Sequence, residues 1–272
     1  MAKIIKKTWK NGAGSQVMVV STGPMTNIAL FVSAYPNLLP AVEEFVFMGG
    51  GVGMGNRSAV AEYNILCDRE CFRYLLISIL KIFFLAHAAQ MVLNAPVKKT
   101  MMPINVTHTA IVTEEIHGQL LSPGSINVPG VLPKASTNLR HTLSTLITFF
   151  AESYKSTFGF NDGPPLHDAL TIAYVAHPEL FRITRHRVDI ELTGTHSTGE
   201  TIVDVWKYRP CDDTWGRNGR NCNVVDYMDV GSHNLSNNAQ SLIPVVPLQV
   251  IGFFNIFLEA VFLCDKVTPL NK

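Results

Sequence analysis

The chain has 272 residues, a formal net charge of +1, 16% charged residues and 47% hydrophobic residues. This balance excludes a basic nucleic-acid stripe and an acidic interaction tail, and it supplies ample material for a buried core. No Ser/Pro/Gly-rich linker or charge block divides the sequence, so one domain over residues 1–272 is expected.

The opening residues MAKIIKKTWKNG lack the apolar run of a secretory signal, so a cytoplasmic chain is expected, and the N-x-[ST] matches at Asn56, Asn105 and Asn234 read as chance. "QVMVVS" (16–21) is a short β-branched run with the pattern of a buried strand. It ends in Thr22-Gly23-Pro24, and Pro24 is well placed to start a helix through "MTNIALFVSAY". "EEFVFMGG" (43–50) reads as a second strand ending in glycines. The apolar run Tyr74 to Leu93 is nearly long enough to cross a bilayer, but Lys81 sits near its middle. A buried helix is the better reading, and no membrane partner is expected.

"TMMPINVTH" (100–108) is read as a third strand, and "STNLRHTLSTLITFFAESYKS" (136–156) as a long amphipathic helix. "HDALTIAYVAHPELF" (167–181) is a helix closed near Pro178. "HRVDIELTG" (186–194) and "ETIVDVWKY" (200–208) alternate as two late strands, and "IGFFNIFLEAVFLC" (251–264) as the last helix. Buried strands alternating with helices predict an α/β fold with a mostly parallel sheet flanked by helices. The five cysteines, at 67, 71, 211, 222 and 264, have no C-x-x-C spacing and an odd count, so reduced, buried thiols are expected.

Ligands of such sheets bind at the carboxyl ends of strands, where Thr22 and Met48-Gly49-Gly50 fall. The stretch "EFVFMGGGVGMGNRSAVAEYN" (44–64) is glycine-rich, but its glycines at 49, 50, 51, 53 and 55 fit no G-x-G-x-x-G register and no G-K-[ST] follows. Asn56 and Glu62-Tyr63-Asn64 come after the glycines instead. These groups hydrogen-bond hydroxyls and would repel phosphates, which favours a sugar or polyol site. Each polar element also has a plainer reading. Asn56 can form a turn, Glu62 and Asn64 can cap a helix, and the His167-Asp168 pair can sit at a helix start for its dipole.

Taken together, the motifs resemble the inosine-uridine-type nucleoside N-ribohydrolase family. The chain carries "TGPMTNIAL" (22–30), "MGGGVGMGNRSAVAEYNILCDRE" (48–70), "NVTHTA" (105–110), "GPPLHDALTIAY" (163–174) and "TGETIVDV" (198–205), in the family's order from about residue 16 to residue 206. The resemblance implies a nucleoside-hydrolase-like fold and hydrolysis of the N-glycosidic bond of ribonucleosides by a calcium-activated water. It implies calcium ligation by the Thr22 carbonyl and Asp168, ribose contacts from Met48, Asn56, Glu62 and Asn64, and protonation of the leaving base by His167. An imidazole titrating near neutrality would suit that last step. The resemblance also implies a nucleoside as small-molecule partner and homo-oligomers. It leaves purine and pyrimidine nucleosides both open.

The chain departs from the family pattern in two ways. The family begins with a strand and an aspartate cluster, D-x-D-x-x-x-D-D, that supplies most calcium ligands, whereas the first aspartate here is Asp68. A truncated member lacking its first strands is therefore expected, impaired because two oxygens cannot satisfy an ion that takes 6–8. A non-catalytic nucleoside-binding or subunit-pairing protein is the alternative. Residues 71–87, with Arg69 where proline is usual just before them, and residues 230–250 interrupt the pattern as foreign inserts. They fit retained introns, which transcript sequencing tests.

Overall fold

Strands that are apolar on both faces need cover on both faces, and the runs read as buried strands do form one parallel sheet. The computed structural model describes residues 1–67, 88–125, 129–228 and 250–271. The insert expected at 71–87 lies outside these residues, as does 230–249 of the second. The described chain divides into two compact units, Met1–Val106 with Phe181–Tyr227, and Thr107–Leu180 with Met228–Lys272.

The first unit holds β1 (Val17–Ser21), β2 (Val42–Met48), β3 (Lys98–Met102), β4 (Phe181–His186), β5 (Val188–Ile190), β6 (Thr201–Val203) and β7 (Cys222–Met228). Five of them form a sheet in the order β1-β2-β3-β7-β4, and β5 and β6 form a separate antiparallel pair. β1, β2, β3 and β7 run parallel, with Val19 opposite Phe45, Val46 opposite Thr100, and Met101 opposite Val224. β2 is buried at every position but Glu43, whereas β1, at the end of the sheet, is mostly half-buried. Helices α1 (Ala2–Trp9), α2 (Thr26–Ala34) and α3 (Ala88–Asn94) supply Ile5, Ile28, Phe31, Val92 and Leu93 to a core shared with Phe45, Phe47, Met101 and Val224. α3 is the described end of the Tyr74–Leu93 run, whose residues 74–87 lie outside the described chain. No helix among the described residues is long and apolar enough to cross a membrane.

Two buried charges cross this sheet. Glu44, 1% exposed, accepts a hydrogen bond from Thr100 Oγ1 and pairs with Lys98 Nζ at 2.9 Å, its register neighbour on β3. Lys99 is fully buried and donates from Nζ to the carbonyls of Ala95, Val97 and Trp215 at 2.6, 2.6 and 2.8 Å. Those three acceptors match the three protons of an ammonium.

The second unit is helical: α4 (Glu114–Leu121), α5 (Asn138–Phe158), α6 (Ala169–Ala176) and α7 (Ile251–Val267). α5 starts where Thr137 Oγ1 accepts from Arg140 N–H, and it stops at Gly159, whose φ of 75° suits glycine and whose N–H returns to Tyr154 and Lys155 carbonyls. Buried Arg140 ties three of these helices together through Asp265 on α7 and the Leu120 carbonyl on α4.

Several expectations need correction. The third strand begins at Lys98 and ends at Met102, because Pro103 has no N–H to donate and a helical turn follows. The helix expected from 167 and closed near Pro178 does close there, at Ala176, but begins at Ala169, and a 3₁₀ turn (Pro178–Leu180) runs on into β4. The late strands shorten to 188–190 and 201–203. Of the described cysteines, all free, only Cys222 is buried, and burial pushes its thiol up to about 12.

Candidate functional site

The residues expected to line a sugar pocket form a tightly bonded loop at the carboxyl end of β2. The Glu62 carboxylate is 2% exposed and accepts from the backbone N–H of Gly50 (3.0 Å), Asn64 (2.9 Å) and Ile65 (3.2 Å). It thereby caps the helical turn at residues 63–67 and fixes the glycine loop in one step. Asn64 Nδ2 donates to the Met48 carbonyl at 3.1 Å. Asn56 Oδ1 accepts from Tyr63 N–H at 2.8 Å, while the N–H groups of Asn56, Arg57 and Ser58 all converge on the Ala61 carbonyl. So the plainer readings are realised: Asn56 shapes a turn and Glu62 caps a helix. The structure also brings Met48, Asn56, Glu62 and Asn64 into one hydrogen-bonded loop.

Gly50 combines a positive φ with a close approach of side chains. Gly50 has φ of 76°, and a Cβ there would lie 2.8 Å from Thr201 Oγ1 and 2.9 Å from Met101 Sδ. Gly53 has a similar φ of 70° but nothing within 4 Å. Gly50→Ala is therefore expected to cost about 2 kcal/mol in urea unfolding, against about 1 kcal/mol for Gly53→Ala, which bears the backbone penalty alone. Equal costs would mean that the close approach at Gly50 relaxes freely.

In the second unit, the segment before α6 is pinned by Val112 N–H to the Pro164 carbonyl and Leu166 N–H to the Ala110 carbonyl, each 2.9 Å. This seats His167 between two hydroxyls, with Nδ1 2.6 Å from Thr107 Oγ1 and Nε2 2.6 Å from Tyr154 Oη. His108 packs edge-on against the ring at 5.4 Å, and Phe160 and Tyr154 complete an aromatic cluster. Burial, assisted by His108, holds the His167 pKa down to about 4. The expectation of an imidazole titrating near neutrality is thus corrected: desolvation makes this ring neutral at pH 7. Thr107, His108 and Tyr154 were not singled out as candidates. "NVTHTA" was the only hint of the first two, and Tyr154 gives no local signal on an amphipathic helix.

Asp168 follows His167 at the start of α6, with an exposed side chain whose carboxyl is raised by partial desolvation. Thr22 is exposed just after β1, where Ser21 Oγ donates to the Gly23 carbonyl at 2.9 Å. Among the described residues, no three His, Cys, Asp or Glu side chains are grouped to hold a metal ion. Thr22 and Asp168 together offer two hard oxygens, far short of the 6–8 that calcium takes. The described residues do not fit a calcium ion by themselves, and no chemical step is assigned through one.

Comparison with known proteins gives a consistent picture. A family model described as "Inosine-uridine preferring nucleoside hydrolase" matches residues 1–85 and 81–233. A Dictyostelium discoideum protein named "Probable ribonucleoside hydrolase" is 36% identical over 207 residues, covering 75% of this chain and 53% of that protein. The "Pyrimidine-specific ribonucleoside hydrolase RihA" of Shewanella woodyi is 33% identical over 215 residues, 79% of this chain and 56% of that protein. The chain thus spans about half the length of the curated relatives it matches. Among solved structures, a purine-preferring ribonucleoside hydrolase from Gardnerella vaginalis matches with a TM-score of 0.65 at 21% identity, over 96% of this chain and 66% of that one.

Proposed function

This chain belongs to the inosine-uridine preferring nucleoside hydrolase family, and on that premise we propose that it is a hydrolase-like protein that recognises ribonucleosides through their ribose, with cleavage of the N-glycosidic bond impaired in this chain alone. The observation that carries this reading is the loop built on Glu62, a buried carboxylate held by three backbone N–H groups. A group fixed this firmly can meet ribose hydroxyls without reorganising, and its negative charge opposes the positive charge that develops on the sugar as the bond breaks. Asn64 has its amide nitrogen on Met48, which leaves Oδ1 to accept from a hydroxyl.

In the reaction, the oxygen of water bonds to C1′, the bond from C1′ to the base nitrogen breaks, and the departing base gains one proton. His167, neutral between Thr107 and Tyr154, is suited to relay that proton rather than to store it. Each hydroxyl can donate or accept, so one ring nitrogen can take a proton while the other gives one up. What activates the water is not supplied by the described residues, and this favours a second reading: nucleoside binding with little or no turnover by this chain alone.

The test is ribose release from inosine and uridine by the purified chain, with and without calcium, beside Asp168→Ala. The expected result is no ribose above the protein-free background in any condition, and no rise in melting temperature on adding calcium, because an ion that does not bind cannot stabilise. Calcium-dependent turnover abolished by Asp168→Ala would overturn the ligand count.

A further inference from the structure

At the sheet edge opposite the Met48–Asn64 loop lies a cavity of about 190 Å³ lined by His186, Arg187, Asp204, Lys207, Arg209 and Arg220. Its position follows from topology. β2 and β7 run parallel through β3, the glycine loop follows the carboxyl end of β2, and Arg220 immediately precedes the amino end of β7. Nothing in the ribonucleoside reading uses these residues.

The charges around this cavity are unevenly matched. Arg187 is committed to structure: it chelates Asp189 and donates to the Arg217 and Gly219 carbonyls. Arg209 shares Asp189 at 3.1 Å, and Arg220 pairs with the exposed Asp213 at 3.2 Å. The Asp204 carboxylate accepts from the backbone N–H groups of Tyr208 (2.9 Å) and Arg209 (2.8 Å), which holds its pKa below the usual range. Lys207 has no ion pair among the described residues. It also stands in the left-handed region, φ 58°, a conformation that strains a non-glycine residue.

The second observation is His186. It lines the cavity, is only 8% exposed, and its Nδ1 is buried without a hydrogen-bond partner. A buried ring nitrogen left unpaired is unfavourable, so something normally satisfies it. The cavity exceeds a single water's share of liquid volume, about 30 Å³, several-fold. It therefore has room for a tetrahedral oxyanion among the cationic side chains that line it.

From the unpaired Lys207, the orphaned His186 and the flanking Arg209 and Arg220, we propose that this cavity binds a phosphate group, either inorganic phosphate or a small phosphate monoester. Lysine supplies a point charge and the two guanidiniums supply directional donors at different angles, a combination that suits a tetrahedral oxyanion. A turn of the imidazole toward the cavity would add a further hydrogen bond from the buried wall. Because Arg209 and Arg220 are only partly engaged with Asp189 and Asp213, both can turn toward a ligand without breaking the fold's interior.

The experiment titrates the full chain with inorganic phosphate and, separately, with glycerol phosphate, using calorimetry and thermal unfolding against sodium chloride at matched ionic strength. Phosphate in one or both forms is expected to bind and raise the melting temperature where chloride does not, and the tighter form identifies the source of the group. Lys207→Met, a change on the exposed rim, is expected to weaken that binding about tenfold, in line with loss of one charged hydrogen bond. Arg220→Met serves as a second variant. If chloride matches phosphate, or if the folded Lys207→Met chain binds phosphate as the parent does, the proposal is wrong and His186 is satisfied by water alone.

Discussion

Glu62→Ala is expected to destabilise the protein by about 4 kcal/mol in urea unfolding, because it strips the acceptor from three backbone N–H groups in a buried loop. Each orphaned donor carries a desolvation cost, and a water entering the small space left by the side chain would recover only part of it. Glu62→Gln separates the charge from the frame. Its carbonyl oxygen keeps one acceptor, while its amide nitrogen faces an N–H that it cannot accept from, so a loss of about half as much is expected. On the proposed ribose contact, nucleoside binding should fall in both variants, since each alters the charge and the geometry of the loop. A Glu62→Ala chain as stable as the parent would show that the glycine loop is held by other means.

Lys99→Met is expected to cost about 3 kcal/mol near neutral pH, because the Ala95, Val97 and Trp215 carbonyls lose their shared donor inside the protein. Relief from burying a charge offsets part of the loss. The pH dependence is more diagnostic. Burial first, then repulsion from Arg185 and Arg187, lowers the Lys99 pKa to about 7 from 10.5, although the nearby Cys222 acts the other way. A folded pKa below the unfolded one means that the unfolded chain holds the extra proton between pH 7 and 10.5. Over that window the group's contribution to stability rises with pH, by up to about 1.4 kcal/mol per unit, and below pH 7 it is flat. A neutral amine has two protons for three carbonyls, which trims the slope without reversing it. Urea unfolding from pH 7 to 10 should show the rise in the parent chain and a smaller one in Lys99→Met. Identical pH profiles would mean that Lys99 keeps its proton throughout.

The residues that defined the fold from sequence were those whose signal is local. β1 and β2 are continuous apolar runs, and α5 has both an amphipathic pattern and its caps, Thr137 and Gly159. β7 escaped notice because Asn223 and Asp226 break its apolar run, and its partner β3 lies far away in the chain. β4, "FRITRH", carries two arginines in six residues and follows closely on a helix and a 3₁₀ turn, so its sequence gives no clear strand signal. Lys98 and Lys99 look alike in sequence, yet one is half open to solvent and the other wholly enclosed. Adjacent strand residues face opposite sides, and the side of Lys99 is closed by the Ala95 and Val97 carbonyls and by Trp215 of the 204–221 loop. The same holds for the candidate site. Glu62, Asn64 and His167 stood out by motif, but the partners that set the state of His167, Thr107 and Tyr154, lie 60 and 13 residues away. Residue type alone suggested an imidazole titrating near pH 7, and the enclosure of the ring lowers its pKa to about 4 instead.

The most direct measurement is calorimetric titration of the full chain with inosine, once in EDTA and once in excess calcium. The proposed ribose contact at the Glu62 loop, made without a metal ion, predicts binding of equal affinity in the two buffers, competed by ribose and lost in Glu62→Gln. Absence of binding in both, or binding that appears only with calcium, would contradict it.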